Sequence, residues 1–526
     1  MQRPDDNAAL AQQENTAMLE NEKSATASQG GPRSSLGWVL ALTGLGSLIV
    51  ALDNLVVSTA LSTIRLDLGA SVEQLYWTVN AYSLSFAVLL LTAAAVGDRF
   101  GRRRMYALGL GLFAAASAAC ALAPDAGSLI AARAVQGVGA ALVLPLSLAL
   151  LSAAFPDEKR GAAIGILGAI TGIAVALGPL VGGAVVEGVS WEWIFWLNVP
   201  IGLLAIPFVL TRIEESFGPD TGLDFRGLAL VTAGAFGIVW GLVRANQVGW
   251  GSPEVLASFV AGALLIAAFV AEELRAREPM LAMSFFRSRA FSAGNAAMFF
   301  TFASLFAAVY FFAQFLQTGL GYGPLDAGLR LLPWTATFIT VAPIAGALVD
   351  RIGERPFMVA GLTLNAVGMA WVALIAEPGL GYSELIAPFI VSGVGVSLAI
   401  PSAQNSVVGS VAAEAIGKAA GTNSMMRELG GVMGIAILVA VFAGAGGYAS
   451  AQDFSDGFAP AVAVGAGLSL LGAICATALP SKAAAETDLA RVPSALGSEA
   501  RAAFRVRERQ LNLRTEAEGG ERDGTS

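Results

Sequence analysis

Gly97-Asp98-Arg99-Phe100-Gly101-Arg102-Arg103 and Val349-Asp350-Arg351-Ile352-Gly353-Glu354-Arg355 are two versions of one loop, set 252 positions apart (98 to 350). Each copy is a short charged turn between long apolar runs. Working outward, the apolar runs fall at about 36–58, 76–96, 105–123, 128–152, 162–185, 194–211, 227–243, 255–271, 291–317, 330–348, 357–376, 384–408, 419–445 and 460–480. Each is long enough for a helix across a ~30 Å hydrocarbon core, and a helix satisfies its own backbone there. The duplicated loop follows the second run and the tenth. The reading is therefore a six-helix bundle, two extra helices and a second six-helix bundle. Parallel repeats of this kind mark transporters that rock two halves about a central site.

Composition agrees. Of 526 residues, 56% are apolar and 13% charged, about half the roughly 25% charged of soluble domains. No single soluble core buries so much apolar surface. A soluble enzyme, a nucleic-acid binder and a disordered chain are thereby excluded. The chain has no histidine, so histidine bases, metal sites and pH switches are absent. Cys120 and Cys475 lie within apolar runs and read as packing residues. Only four of the 31 basic residues are Lys, a skew that fits a high-GC bacterial source.

Lys and Arg in short loops set orientation. Fifteen lie in even-numbered gaps, among them Arg99, Arg102, Arg103 and Arg104, against three (Arg65, Arg244, Arg330) in odd-numbered gaps. Both termini are expected in the cytoplasm of a bacterial plasma membrane. The expected divisions are a polar arm (1–34), a first bundle (35–212), two linker spans (213–280), a second bundle (281–480) and a polar tail (481–526).

Further motifs follow in order: Leu52-Asp53-Asn54-Leu55-Val56-Val57-Ser58-Thr59-Ala60-Leu61; Arg133-Ala134-Val135-Gln136-Gly137-Val138-Gly139; Gly178-Pro179-Leu180-Val181-Gly182-Gly183; and Trp191-Glu192-Trp193-Ile194-Phe195-Trp196-Leu197-Asn198-Val199-Pro200-Ile201-Gly202. Together with the duplicated loop they resemble the major facilitator superfamily, and within it the fourteen-span drug:proton antiporters of the EmrB/QacA type. The departures are Ser62 for a usual proline, Ala94 and Ala174 for usual glycines, and Glu192 for a usual arginine. None removes a charge the mechanism needs.

Asp53 lies about 26 Å along the first span at 1.5 Å per residue, and Arg133 enters the fourth span to about 8 Å depth from outside. Across a ~30 Å core that leaves Asp53 about 4 Å from the outer edge, which agrees with Arg133 within register error. Intramembrane acids face bundle interiors and mark ion or proton pathways. A carboxyl group moved between an apolar setting, which favours the acid, and a cation, which favours the carboxylate, can load and unload a proton. The resemblance assigns Arg133 to proton transfer. The competing readings are a static ion pair and an arginine snorkelling to the interface.

Arg427 and Glu428 sit near mid-membrane in the thirteenth span. As helical neighbours they point about 100° apart and need not pair. Glu428 is read as a site for a cationic substrate or a second proton, or as half of a structural pair with an arginine elsewhere, with Arg427 and Gln136 as companions. Asp98, Arg99, Gly101, Arg102 and Arg103, with Asp350, Arg351 and Gly353, form a cytoplasmic gate by resemblance, or topology determinants alone. Gly178, Pro179, Gly182 and Gly183 read as a kinked, close-packing face that Gly168 and Gly172 extend.

The expected function is export of amphipathic organic molecules in exchange for protons. The alternative is a dedicated exporter of one self-made metabolite, antibiotic or lipid. No cofactor beyond the proton gradient is expected, the partners are a small-molecule substrate and the bilayer, not nucleic acid, and the chain reads as a monomer. No Gly-x-Ser-x-Gly elbow, His-Glu-x-x-His or nucleotide loop argues for an enzyme.

Overall fold

The computed structural model describes residues 36–218, 224–276, 279, 281–411 and 416–480. The expected arm and tail, 1–34 and 481–526, lie outside the described residues. Every described regular element is helical: α1 (Leu36–Leu68), α2 (Val72–Phe100), α3 (Arg102–Ala121), α4 (Ala126–Ala154), α5 (Asp157–Gly188), α6 (Trp193–Trp196), α7 (Asn198–Arg212), α8 (Phe225–Val248), α9 (Pro253–Glu273), α10 (Arg289–Gln314), α11 (Pro324–Arg330), α12 (Leu332–Ile352), α13 (Glu354–Ile375), α14 (Tyr382–Val408), α15 (Ile416–Ala445) and α16 (Ala451–Thr477), with a 3₁₀ turn at Met283–Arg287 and a π turn at Phe315–Gly319. Among the described residues, twelve helices are long and apolar enough to span a membrane. A thirteenth results if α11 and α12, bent by 41°, form one span.

The helices run past the apolar stretches that announce them. Ser71 and Asp125 open α2 and α4 with capping boxes, each accepting from the backbone three residues on. The duplicated loop is duplicated in geometry too. Gly101 and Gly353, 252 positions apart, hold φ of +103° and +100°. Each donates its N–H to the carbonyl four residues back, Gly97 and Val349. Glycine alone adopts such φ without strain, so both turns require it.

The repeat extends into packing. Gly109 lets α3 close on Gly139 and Leu142 of α4, and Gly361, again 252 positions on, lets α13 close on Gly395 and Leu398 of α14.

The chain divides into two compact units, one running to Thr232 and including Gly323–Gly328, the other comprising Ala233–Tyr322 and Leu329 onward. The first unit's core gathers Tyr82, Phe86, Tyr106, Phe113, Leu142 and Val143. Tyr106 donates to the Leu42 carbonyl at 2.8 Å. The second unit has an aromatic core around Phe312, Phe315 and Phe458, the last two stacked at 4.2 Å. It also carries an uncharged buried network: Asn365 donates to Ser304 and Ser469, both at 3.0 Å, and accepts from Ser392 at 2.7 Å.

Candidate functional site

Five helices of the first unit converge on one buried ion pair. α1 carries Asp53 and α4 carries Arg133 with Gln136, three residues apart and so on one face. α3 contributes Ser117 and Cys120, α2 contributes Thr78 and Tyr82, and Asn198 is the first residue of α7. The approach of α2 and α4 depends on Gly137, where a methyl group would strike the Tyr82 carbonyl and Ser85. Ser85 ties the two helices by donating to the Ala134 carbonyl at 2.8 Å.

Arg133 Nη1 donates to Asp53 Oδ2 at 2.5 Å with side-chain exposures of 0% and 1%. The same Nη1 reaches Gln136 Oε1 at 2.7 Å, and Arg133 Nε donates to the Thr78 carbonyl at 3.0 Å. Asp53 Oδ1 accepts from Gln136 Nε2 at 2.9 Å and Asn198 Nδ2 at 2.8 Å. Ser117 Oγ accepts from Gln136 Nε2 at 2.7 Å, and the Cys120 thiol points at Gln136 Oε1, 3.7 Å away. The guanidinium lies 4.3 Å from the Tyr82 ring centre and 5.7 Å from that of Phe195.

Burying two charges costs several kcal/mol per ion unless geometry and extra hydrogen bonds compensate. Here the carboxylate accepts from three donors, Arg133, Gln136 and Asn198. Arg133 Nη2 has no hydrogen-bond partner among the described residues. The arrangement is therefore a fully engaged carboxylate facing an incompletely engaged cation.

The two residues singled out for their charge, Asp53 and Arg133, are brought into contact. Gln136, read as a companion of Arg427 and Glu428, sits instead on the Asp53 cluster in the first unit. The reading missed Asn198, Ser117 and the Thr78 carbonyl. Neutral polar groups carry little cost signal in an apolar run, though Asn198 stood inside a quoted motif.

In the second unit Glu428 pairs with its own neighbour Arg427, which helical phase does not require, and among the described residues not with an arginine elsewhere. Arg427 Nε and Nη2 lie 3.0 and 2.9 Å from Glu428 Oε1. The arginine stem is long enough to curl back across the 100° between helical neighbours. Glu428 is buried, and its Oε2 has no partner among the described residues. The Arg427 guanidinium lies 5.4 Å from the Phe302 ring.

At the other end of α2, Arg102 Nε pairs with Asp98 Oδ1 at 2.7 Å. Arg103 Nη1 donates to the Leu210 and Ile213 carbonyls at the end of α7, each at 3.2 Å. The start of the 213–280 division, residues 213–218, lies against this turn. Glu215 accepts from the Arg103 backbone at 2.8 Å and pairs with Arg104 at 3.6 Å. The Ser216 carbonyl accepts from Arg102 N at 2.9 Å, and Gly218 N donates to the Asp98 carbonyl at 3.1 Å. The Arg99 guanidinium lies 5.7 Å from its neighbour Phe100. The side chains of Asp350 and Arg351 lie outside the described residues.

The α5 glycines serve close approach. A methyl on Gly182 would strike the Val56 carbonyl and Thr59 of α1, and one on Gly178 would meet Leu55. Gly183 faces the Pro324 carbonyl, Gly328 faces that of Pro179, and Glu187 accepts from Leu325 N at 2.9 Å. Among the described residues nothing lies beside Gly168, so it does not extend that face, and the contacts of Gly172 lie outside the described residues.

The profile described as Major Facilitator Superfamily matches residues 43–286 and 294–509. The tetracenomycin C resistance and export protein of Streptomyces glaucescens is 34% identical over 403 residues, covering 76% of this chain and 74% of that protein. Multidrug resistance protein Stp of Mycobacterium tuberculosis is 36% identical over 406 residues, covering 77% and 75%. Among solved structures, a D-xylose-proton symporter matches with a TM-score of 0.61 at 16% identity, covering 84% of this chain and 98% of that one. The last is a likeness of fold.

Proposed function

The chain belongs to the Major Facilitator Superfamily, and on that premise we propose that it exports amphipathic organic molecules, drugs or antibiotic-like compounds, across a bacterial plasma membrane in exchange for protons. The observation that carries the reading is the buried Asp53–Arg133 pair. Two relatives whose names state resistance or export support the direction of transport and the substrate class.

The steps follow from the pair's electrostatics. With Asp53 ionised, Arg133 is held by α1, and the two helices are drawn together. A proton arriving on Asp53 removes the charge that compensates Arg133. A buried cation without its partner costs about 3–5 kcal/mol, so the protonated protein favours an arrangement in which Arg133 is hydrated or meets substrate. Return to the paired state expels the proton. Arg427 and Glu428 are the second candidate charge site, where Glu428 Oε2 would take a cationic substrate or a second proton. Asp98, Arg102 and Arg103, joined by Glu215, would latch the cytoplasmic side, with Asp350, Arg351 and Gly353 as the duplicate. Gly178, Pro179, Gly182 and Gly183 supply the sliding face between the two arrangements.

The same reading takes fourteen spans, of the EmrB/QacA type, with the divisions given above, both termini cytoplasmic and no cofactor but the proton gradient. α5 supports the count, since its 32 helical residues are ample to cross. A dedicated exporter of one compound is the second reading, favoured by the relative named for tetracenomycin C. The test is proton release from acidified everted vesicles on adding lipophilic cations and neutral antibiotics, wild type beside Asp53→Asn. Release by wild type alone is expected. Equal release by Asp53→Asn would overturn the assignment of Asp53.

A further inference from the structure

Asp53 is surrounded by donors. Arg133 Nη1 meets Oδ2, and Gln136 Nε2 and Asn198 Nδ2 meet Oδ1. This suits a carboxylate and does not suit an acid, whose new O–H needs an acceptor. Arg133 has no acceptor to offer. Gln136 has one, but its oxygen already receives Arg133 Nη1 at 2.7 Å and the Cys120 thiol. Asn198 differs: both its side-chain contacts are donations, to Asp53 Oδ1 at 2.8 Å and to Ser117 Oγ at 3.5 Å. Ser117, a hydroxyl, can donate as readily as it accepts. A half-turn of the Asn198 amide would present its oxygen to a protonated Asp53 and its nitrogen to the opposite side.

Asn198 also has a place in the fold suited to reading that change. It opens α7 directly after the short α6, which sets Phe195 against the Arg133 guanidinium. Trp191, at the start of the same stretch, donates through Nε1 to Asp67 Oδ2 near the end of α1 at 2.9 Å. The Trp191–Gly202 stretch thus reaches α1 through two hydrogen bonds and lays an aromatic ring near the arginine.

We propose that Asn198 is a positioning residue for proton exchange: its amide holds Asp53 as the carboxylate, turns to accept from the acid when the proton arrives, and so couples the protonation state of α1 to α7. The inference rests on the reading of Asp53 as the proton carrier. The charged and titratable groups around the pair are Arg133 from α4 and Cys120 from α3, with Tyr82 of α2 over the guanidinium rather than on the carboxylate; Asn198, Gln136 and Ser117 are neutral.

The experiment is an infrared pH titration of the purified full-length protein without substrate, following the carboxylic-acid carbonyl band that Asp53→Asn removes. Removing the amide takes a hydrogen bond from both forms of Asp53, but the one to the charged carboxylate is the stronger, so the loss favours the acid. Asn198→Leu and the smaller Asn198→Ala are therefore expected to raise the midpoint by about one pH unit, a tenfold tighter hold on the proton, the scale of one hydrogen bond to a charged group. Asn365→Ala, which removes a comparably buried amide from the uncharged network of the second unit, is expected to leave the midpoint in place. An unmoved midpoint in both Asn198 variants, or an equal shift in Asn365→Ala, would overturn the proposal. If wild type lacks a band that Asp53→Asn removes, the proton-carrier reading itself falls.

Discussion

At the scale of single residues, the first unit is organised by one charge that cannot be left alone. Arg133 has no exposure and depends on Asp53, Gln136 and the Thr78 carbonyl. Truncating Asp53 strands the guanidinium, and truncating Arg133 strands the carboxylate; either costs about 3–5 kcal/mol. Replacing both removes the stranded charge. Arg133→Ala is therefore expected to lower the thermal unfolding midpoint of the purified protein strongly, and Arg133→Ala combined with Asp53→Asn to recover most of the loss. A double variant no more stable than Arg133→Ala would show that packing, not charge, holds the site together. Charge at depth is also why Asp53 and Arg133 were legible in the sequence: an ionised group far inside an apolar run is expensive and advertises itself. Asn198 and Ser117 cost little, so the run hides them. Arg427 and Glu428 were legible as charges but not as a pair, because helical phase says where a side chain leaves the backbone and not where a flexible stem ends.

At the scale of elements, apolar runs located the helices and misplaced their ends. The last run opened at 460, whereas α16 starts at Ala451 with Gln452, Asp453 and Asp456 in its first turns. Those residues are too polar for a hydropathy reading, yet Ser450 caps them at 3.0 Å from Asp453 N. On α5 the small residues divide by what they face. Gly182 meets the backbone of α1 while Gly168 has nothing beside it among the described residues, a difference that spacing alone does not reveal. Gly182→Val is expected to abolish export, because neither the Val56 carbonyl nor α1 can yield without separating the helices. Gly168→Ala is expected to transport within twofold of wild type, with stability changed by at most about 1 kcal/mol. Efflux from loaded cells, with surface expression measured alongside, checks both. At the turn between α2 and α3, Glu215 joins the backbone of Arg103 to Arg104. Glu215→Gln keeps the hydrogen bond and loses the charge. It is expected to loosen segment 213–218, read as faster cleavage there by a protease added from the cytoplasmic face of everted vesicles. Unchanged cleavage would reduce Glu215 to a surface residue.

At the scale of the whole molecule, the repeat at 252 positions carried further than its seven residues. It recurs in the φ of Gly101 and Gly353 and in the crossings at Gly109 and Gly361. What the repeat leaves undecided is the pair of helices between the halves. α9 presents Leu256, Val260, Leu264 and Val270 away from the protein. Its partner α8 meets it through Gly234, Gly237 and Gly241. Trp240 and Arg244 converge on Glu254 at 3.1 Å near the turn between them. Exposed apolar side chains along a whole helix are stable only in lipid, and a tight glycine seam suits two helices crossing the bilayer together. With the amino terminus inside, a crossing pair puts the 249–252 turn outside and returns Pro480 to the cytoplasm. A pair lying on the cytoplasmic surface would leave that turn inside. A reporter that fluoresces only in the cytoplasm, inserted at Gly251, is accordingly expected to be dark, and the same reporter after Pro480 bright; a phosphatase active only outside should give the reverse. Fluorescence at both positions would mean twelve spans with α8 and α9 at the interface, where their bare leucines would have to lie in the headgroup region.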